Sequence, residues 1–221
     1  MRSNSLNVKK VVTLLQKVAA DLPGHIEEIR SLDALLGDGD LGITLDLISK
    51  ALGEYLISPD MESIGKLLIG CGMRINKATP STFATLLTMG FLGAGKALTD
   101  KQEIGIQDLA SIGKNAISGI QKLGKAEVGD KTMLDALIPA VNTFKLKINS
   151  QNEFDVAVKA AVDSARSGME ATFNMKAKFG RASWHQEKSL GVQDAGATVM
   201  YYLIESCVRH LQEEIHKDEQ N

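Results

Sequence analysis

Residues Ile26–Leu56, IEEIRSLDALLGDGDLGITLDLISKALGEYL, decide the fold. Ile26, Ile29, Leu32, Leu35 and Leu36 recur at the spacing of one face of a helix, and Gly37 ends the pattern. From about Ile43 to Leu56 the same period resumes. Two amphipathic helices joined by a short glycine–aspartate break are therefore predicted, and the helical period recurs along nearly the whole chain. Leu6, Val8, Val11, Val12, Leu15 and Val18 mark a helix that stops before Pro23-Gly24. Further helices are expected over Met61 to about Ile75, Pro80 towards Leu98, Ile106–Leu123, Lys131–Leu146 and Glu153 to about Met175. A last one starts near Asp194 and ends in a charged, fraying tail at Lys217-Asp218-Glu219. Runs of alternating β-branched residues are absent. The expectation is an all-α fold of roughly eight or nine helices, an antiparallel bundle or helical barrel. No linker divides it, so residues 1–221 read as a single domain.

The 221 residues can bury a sizeable core without disulfides or a structural metal. A net charge of −2 gives no general pull on nucleic acid or an anionic membrane, so an anionic ligand must be held locally. Cys71 and Cys207 lie far apart in apolar stretches and are read as buried free thiols of a reducing cytoplasm. Arg2, Lys9 and Lys10 precede no unbroken apolar run, so no signal peptide is expected. The uncharged stretch Ala78–Gly95 carries too many hydroxyls for a membrane span and is read as a buried helix. A cytoplasmic protein follows from these readings.

Three segments break the helical pattern: Gly37–Gly42, Gly124–Asp130 and Lys178–Asp194. Irregular segments between well-formed helices are where such a scaffold places its chemistry. In Gly37-Asp38-Gly39-Asp40 the alternate glycines allow a tight turn, and side chains two apart in an extended stretch would bring Asp38 and Asp40 to one side. Asp33, about one turn earlier, can point into the same space. Three clustered carboxylates call for a cation, and hard oxygen ligands suit magnesium or calcium. A solvated glycine–aspartate turn accounts for the same residues without a metal.

Gly90 to Lys96 imitates a phosphate-binding P-loop, but Ala97 follows the lysine and no strand precedes it, so helix packing by small residues is the better account. Asp130 is placed to cap the helix that follows the Gly124–Met133 loop. Arg181, beside Gly180, suits a phosphate, and Asp194 suits the N-cap of the last helix. Trp184 could stack on a base or plug the core, and burial of a large aromatic favours the core. His25, His185, His210 and His216 have no partners at catalytic spacing, and His210 and His216 are expected on the surface.

With those residues in hand, the chain resembles the nucleotide-binding L subunit of bacterial dihydroxyacetone kinases, the DhaL or DAK2 domain. DALLGDGD at Asp33–Asp40, GKAEVGDKTMLD at Gly124–Asp135, and GRAS followed by QDAGAT within Gly180–Thr198 carry the likeness in the family's order. The resemblance implies a closed barrel of about eight antiparallel helices with the nucleotide at one end. It implies that Asp33, Asp38 and Asp40 hold two Mg2+ ions against the phosphates of ADP or ATP. It also implies nucleotide contacts at Leu41, Gly42, Thr44, Ser81, Thr82, Gly124, Met133, Arg181 and Asp194. No residue is expected to act as a covalent catalyst.

The implied reaction passes the γ-phosphoryl to dihydroxyacetone, or a related short ketose, held on a separate K subunit. A phosphohistidine carrier, the M subunit of a phosphoenolpyruvate phosphotransferase system, rephosphorylates the bound ADP. A transcriptional regulator and a second copy of the chain are further partners under this reading; nucleic acid and membrane are not. An ATP-dependent kinase subunit with exchangeable nucleotide, or a nucleotide-bound regulatory protein, are the alternatives. Leu41 stands where the family commonly has histidine, Thr44 where asparagine is usual, and Pro80-Ser81-Thr82-Phe83-Ala84 where a glycine- and serine-rich phosphate loop is usual. These replacements mark a divergent paralogue.

Overall fold

The computed structural model describes residues 5–150 and 153–219, with side chains to residue 216; Arg2 and the side chains of Lys217-Asp218-Glu219 lie outside it. Nine α-helices occupy the described residues: α1 Val8–Asp21, α2 Ile26–Asp33, α3 Leu41–Tyr55, α4 Ile64–Ala78, α5 Thr82–Lys96, α6 Ile106–Gly124, α7 Leu134–Asn149, α8 Phe154–Ala171 and α9 Ala195–Glu219. The all-α reading holds.

The helix boundaries follow local chemistry. Asn7 starts α1 by accepting the Lys10 N–H at 3.0 Å, and Pro23 lies in a 3-10 turn, Leu22–His25, that ends it. Ser63 starts α4, accepting the Lys66 N–H at 3.1 Å. The helix begins three residues later than the expected Met61 for that reason. Likewise α7 begins at Leu134 because Lys131 takes φ 62°, which no helix tolerates. The expected Glu153–Met175 helix gives way to a 3-10 turn at Thr172–Asn174. A two-stranded antiparallel ribbon, β1 Ser5–Asn7 with β2 Glu103–Gly105, was outside the all-helical expectation. Strands of three residues leave no periodic signal in a sequence.

From α3 to α9 successive helices pack on one another, and α1 closes the ring by lying against both α9 and α3. Helix α2 covers α3 and α9. Ile29, Leu45, Ile48, Leu67, Ile75 and Leu134 are fully buried in the core, and each contributes roughly 1.5–3 kcal/mol by leaving water.

The P-loop lookalike is a packing surface within α5. A Cβ on Gly93 would stand 2.3 Å from the Asn115 carbonyl of α6, and one on Gly95 2.7 Å from the Gly65 carbonyl of α4. Helix α7 contains Pro139, which has no N–H for the Asp135 carbonyl. There α8 approaches so closely that a Cβ on Gly168 would lie 1.9 Å from that same oxygen. Among the described residues no helix is long and apolar enough to cross a membrane.

Cys71 is buried and Cys207 half-buried, neither in a disulfide. Burial pushes their thiols up to about 12 and about 11. His210, expected on the surface, is buried between α9 and α1, with Nε2 2.8 Å from Asp21 and Nδ1 3.2 Å from Glu213. Trp184, expected in the core, is 80% exposed.

Candidate metal and phosphate site

The break after α2 brings the three aspartates together. Asp33 is the last residue of α2, and its carbonyl accepts from Leu36 N at 3.2 Å and Gly37 N at 2.7 Å, turning the chain. At Gly37 a Cβ would stand 2.8 Å from Asp33 Oδ1 and 3.0 Å from the Asp33 carbonyl oxygen, so a larger residue would push the carboxylate aside. Gly39 takes φ +73°, the left-handed region. Asp40 is already helical in backbone, at φ −81° and ψ −11°, so the aspartates converge through a tight turn and not an extended strand as the spacing suggested. Leu41 and Gly42 are the first residues of α3, and the Leu41 N–H donates to Asp33 Oδ2 at 3.2 Å.

One oxygen from each of Asp33, Asp38 and Asp40 lies within 4.8 Å of the others. Such a set of hard donors fits a divalent cation. Burial, reinforced by repulsion from Asp40 and Asp38, pushes the Asp33 carboxyl up. Arg181 reaches across from the far segment, its guanidinium paired with Asp38 and, at 3.2 Å, with Asp40. In the chain alone this arginine supplies the countercharge that the cluster needs.

Beside the aspartates opens a cavity of about 280 Å3. The first residues of α3, α5, α7 and α9 all face it: Leu41, Thr82-Phe83, Met133 as N-cap of α7, and Ala195-Gly196. Four helices thus start at one space, where the positive ends of their dipoles favour an anion such as phosphate. Asp33, Asp40, Ser81, Arg181 and Asp194 complete its polar wall. Asp194 caps α9 by accepting the Ala197 N–H at 2.7 Å. Burial pushes its carboxyl up to about 7, against the pull of that hydrogen bond and of Lys131.

The expected contact residues divide. Asp33, Asp40, Leu41, Ser81, Thr82, Met133, Arg181 and Asp194 line the cavity, and Asp38 joins through the aspartate cluster. Gly42, Thr44 and Gly124 do not line it. A Cβ on Gly42 would meet Arg30 at 2.8 Å, so this glycine lets α2 lie on α3. Thr44 is 3% exposed within α3. Gly124 packs behind Leu86, which itself lines the cavity.

Asp130 does not cap α7. Its Oδ2 accepts from Glu127 N at 2.8 Å, and its Oδ1 accepts from Lys178 at 2.5 Å, which holds the carboxyl below its usual range. The start of α7 is held instead by Asp135, which accepts from Gly129 N at 2.6 Å and Thr132 N at 2.7 Å. Phe179, Phe83 and Lys131 also line the cavity. Lys131 sits inside the quoted GDKTM run, but its role depends on residues 41 to 61 positions away, which no local spacing reveals.

A family profile described as the DAK2 domain matches residues 35–209. The chain is 29% identical over 201 residues to the "PEP-dependent dihydroxyacetone kinase, ADP-binding subunit DhaL" of Escherichia coli K12, covering 91% of this chain and 96% of that one. It is 30% identical over 207 residues to the ADP-binding subunit DhaL of "PEP-dependent dihydroxyacetone kinase 2" of Listeria innocua, covering 91% and 94%. Among solved structures the native dihydroxyacetone kinase of C. freundii superposes with a TM-score of 0.71 at 23% identity, over 94% of this chain and 35% of that one. The same enzyme in complex with AMP-PNP and Mg2+ superposes with a TM-score of 0.69 at 22% identity, over 90% and 33%. The chain thus spans about a third of that kinase and nearly all of the two bacterial subunits.

Proposed function

The chain belongs to the DAK2-domain family, and from that premise we propose that it is the ADP- and ATP-binding subunit of a dihydroxyacetone, or related short-ketose, kinase. The observation that carries the reading is the convergence of three aspartates and four helix N-termini on one cavity. Asp33, Asp38 and Asp40 would hold Mg2+, two ions in the fullest form of the proposal. Bound there, the metal would neutralise the charge of a nucleotide's phosphates.

The chain's own residues then do the positioning. Ser81 and Thr82, at the start of α5, offer hydroxyls and N–H groups to phosphate oxygens. Arg181 offers a planar pair of donors suited to the same oxygens. Met133 and Phe83 give the apolar walls, and Leu41 stands nearest the aspartates without a titratable group. No covalent intermediate on this chain is needed: phosphoryl transfer is served by alignment and charge neutralisation.

The acceptor sugar would sit on a separate K subunit, and a phosphohistidine carrier would rephosphorylate ADP in place. Residues 1–221 as one domain in the cytoplasm complete the proposal. In its support α1, outside the matched 35–209, packs against α9 and α3 inside it.

Reconstitution tests this. With a K subunit, a carrier and phosphoenolpyruvate, the native chain should yield dihydroxyacetone phosphate, and Asp38→Asn should yield almost none while keeping its helical content. Absence of product with both carrier and free ATP as donor would overturn the kinase reading.

A further inference from the structure

Lys131 is 1% exposed, and its ammonium is enclosed by main-chain carbonyls. Nζ donates to the Thr172 carbonyl at 3.0 Å, Met175 at 3.2 Å, Ser189 at 2.5 Å, and also to Val192. An ammonium has three N–H bonds, so four acceptors share them. Burial lowers its pKa, and the nearby Asp194 carboxylate works the other way. Taking a cation out of water is unfavourable unless the surroundings repay it, so an anchor of apolar packing alone would be less costly.

The four carbonyls belong to the two ends of one strap, residues 172–192. At its ends Gly191 N donates to the Phe173 carbonyl at 2.8 Å, and Asp194 N to Thr172 Oγ1 at 2.9 Å. Between them the strap runs through short 3-10 turns, with Gly180 at φ +67° and Gln186 at φ 42°. It carries Phe179, Gly180, Arg181 and Ala182 to the cavity, and Asp194 follows it. Lys131 itself holds a left-handed backbone, which a non-glycine residue keeps only where its surroundings fix it.

We propose that Lys131 is a positioning residue for nucleotide binding: its ammonium gathers both ends of the 172–192 strap and so fixes where Arg181 and Asp194 stand against the cavity. The inference rests on the nucleotide reading of that cavity. It assigns the lysine an internal electrostatic task and no contact with phosphate.

The test compares the native chain with Lys131→Met, which keeps the length and removes the charge. Three readouts apply: calorimetric titration with magnesium and ADP, rotational anisotropy of Trp184 within the strap, and trypsin cleavage at the exposed Lys176, Lys178, Arg181 and Lys188. The variant should bind magnesium–ADP about tenfold or more weakly, as loss of a ligand-orienting partner does. Its Trp184 anisotropy should fall and the strap should be cut faster, with far-UV helical signal unchanged.

Native-like affinity in Lys131→Met overturns the proposal. A native chain that itself binds no magnesium–ADP overturns the nucleotide reading instead.

Should Lys131→Met not fold, Gly191→Ala decides. Gly191 is at φ +78° with only Phe173 Cζ, at 3.9 Å, near an added Cβ, so the strain falls on the backbone between the Ser189 and Val192 carbonyls. Weaker magnesium–ADP binding with faster strap cleavage supports the proposal, and an affinity equal to the native chain's overturns it.

Discussion

Asp194 carries opposite demands at a single residue. Capping α9 needs an acceptor oxygen, while burial favours the protonated acid and pushes the carboxyl up to about 7. The unfolded carboxyl titrates near 3.8. The folded chain therefore binds the extra proton between these values, so this residue's contribution to stability is present below the unfolded value and is lost as pH rises through 7. Asp194→Asn keeps a capping oxygen without the charge. Urea unfolding of the ligand-free chain from pH 4 to 8 should show the variant gaining on the native protein by order of 1 kcal/mol or more at the upper end. A constant difference across that range would contradict the assignment.

Gly37→Ala tests the neighbouring turn. Its Cβ would displace the Asp33 carboxylate, so magnesium affinity should fall about tenfold or more while helical content stays. The aspartates were legible in the sequence because they sit within eight residues. Trp184 was misread because the general tendency of aromatics to be buried says nothing about a strap that runs outside the ring. Lys131 and His210 were missed for a related reason: their partners come from distant segments, and only the fold brings those carbonyls and carboxylates to them.

Among the elements, Pro23 as a stop and Asp194 as a cap were legible because each acts on its immediate neighbours. Asn7 and Ser63, by contrast, cap helices whose starts the apolar period placed only to within a few residues. Less legible was how closely the helices approach. Glycines set that distance, and their partners cannot be read from spacing. A Cβ on Gly119 in α6 would lie 2.1 Å from the Met89 carbonyl of α5. Gly119→Ala should thus cost about 1–3 kcal/mol through forced separation of the two helices. Gly53 in α3 has nothing within 4 Å of an added Cβ, and Gly53→Ala should stabilise by about 0.5–1 kcal/mol. Opposite shifts of the two urea midpoints would support glycine-set contacts, and equal shifts would refute them.

At the scale of the molecule, the closed ring brings distant connections to one end. Helices α3, α5, α7 and α9 begin at one end, the last of them after the long 172–194 connection. The ring thereby collects four N-termini and the Gly37–Asp40, Pro80–Thr82 and 172–194 connections around one cavity. The sequence marked the Gly37–Gly42, Gly124–Asp130 and Lys178–Asp194 breaks; the first and third reach the cavity, and the second meets the third through Asp130 and Lys178, pairings that only the fold reveals.

By this proposal, the end of the ring would hold nucleotide through metal bound by Asp33, Asp38 and Asp40. Calorimetric titration of ADP into chain stripped of ligand and metal tests it most directly, run once with magnesium and once with EDTA. One nucleotide should bind per chain with magnesium, and at least tenfold more weakly in EDTA. Equal ADP affinity with and without the metal would contradict it.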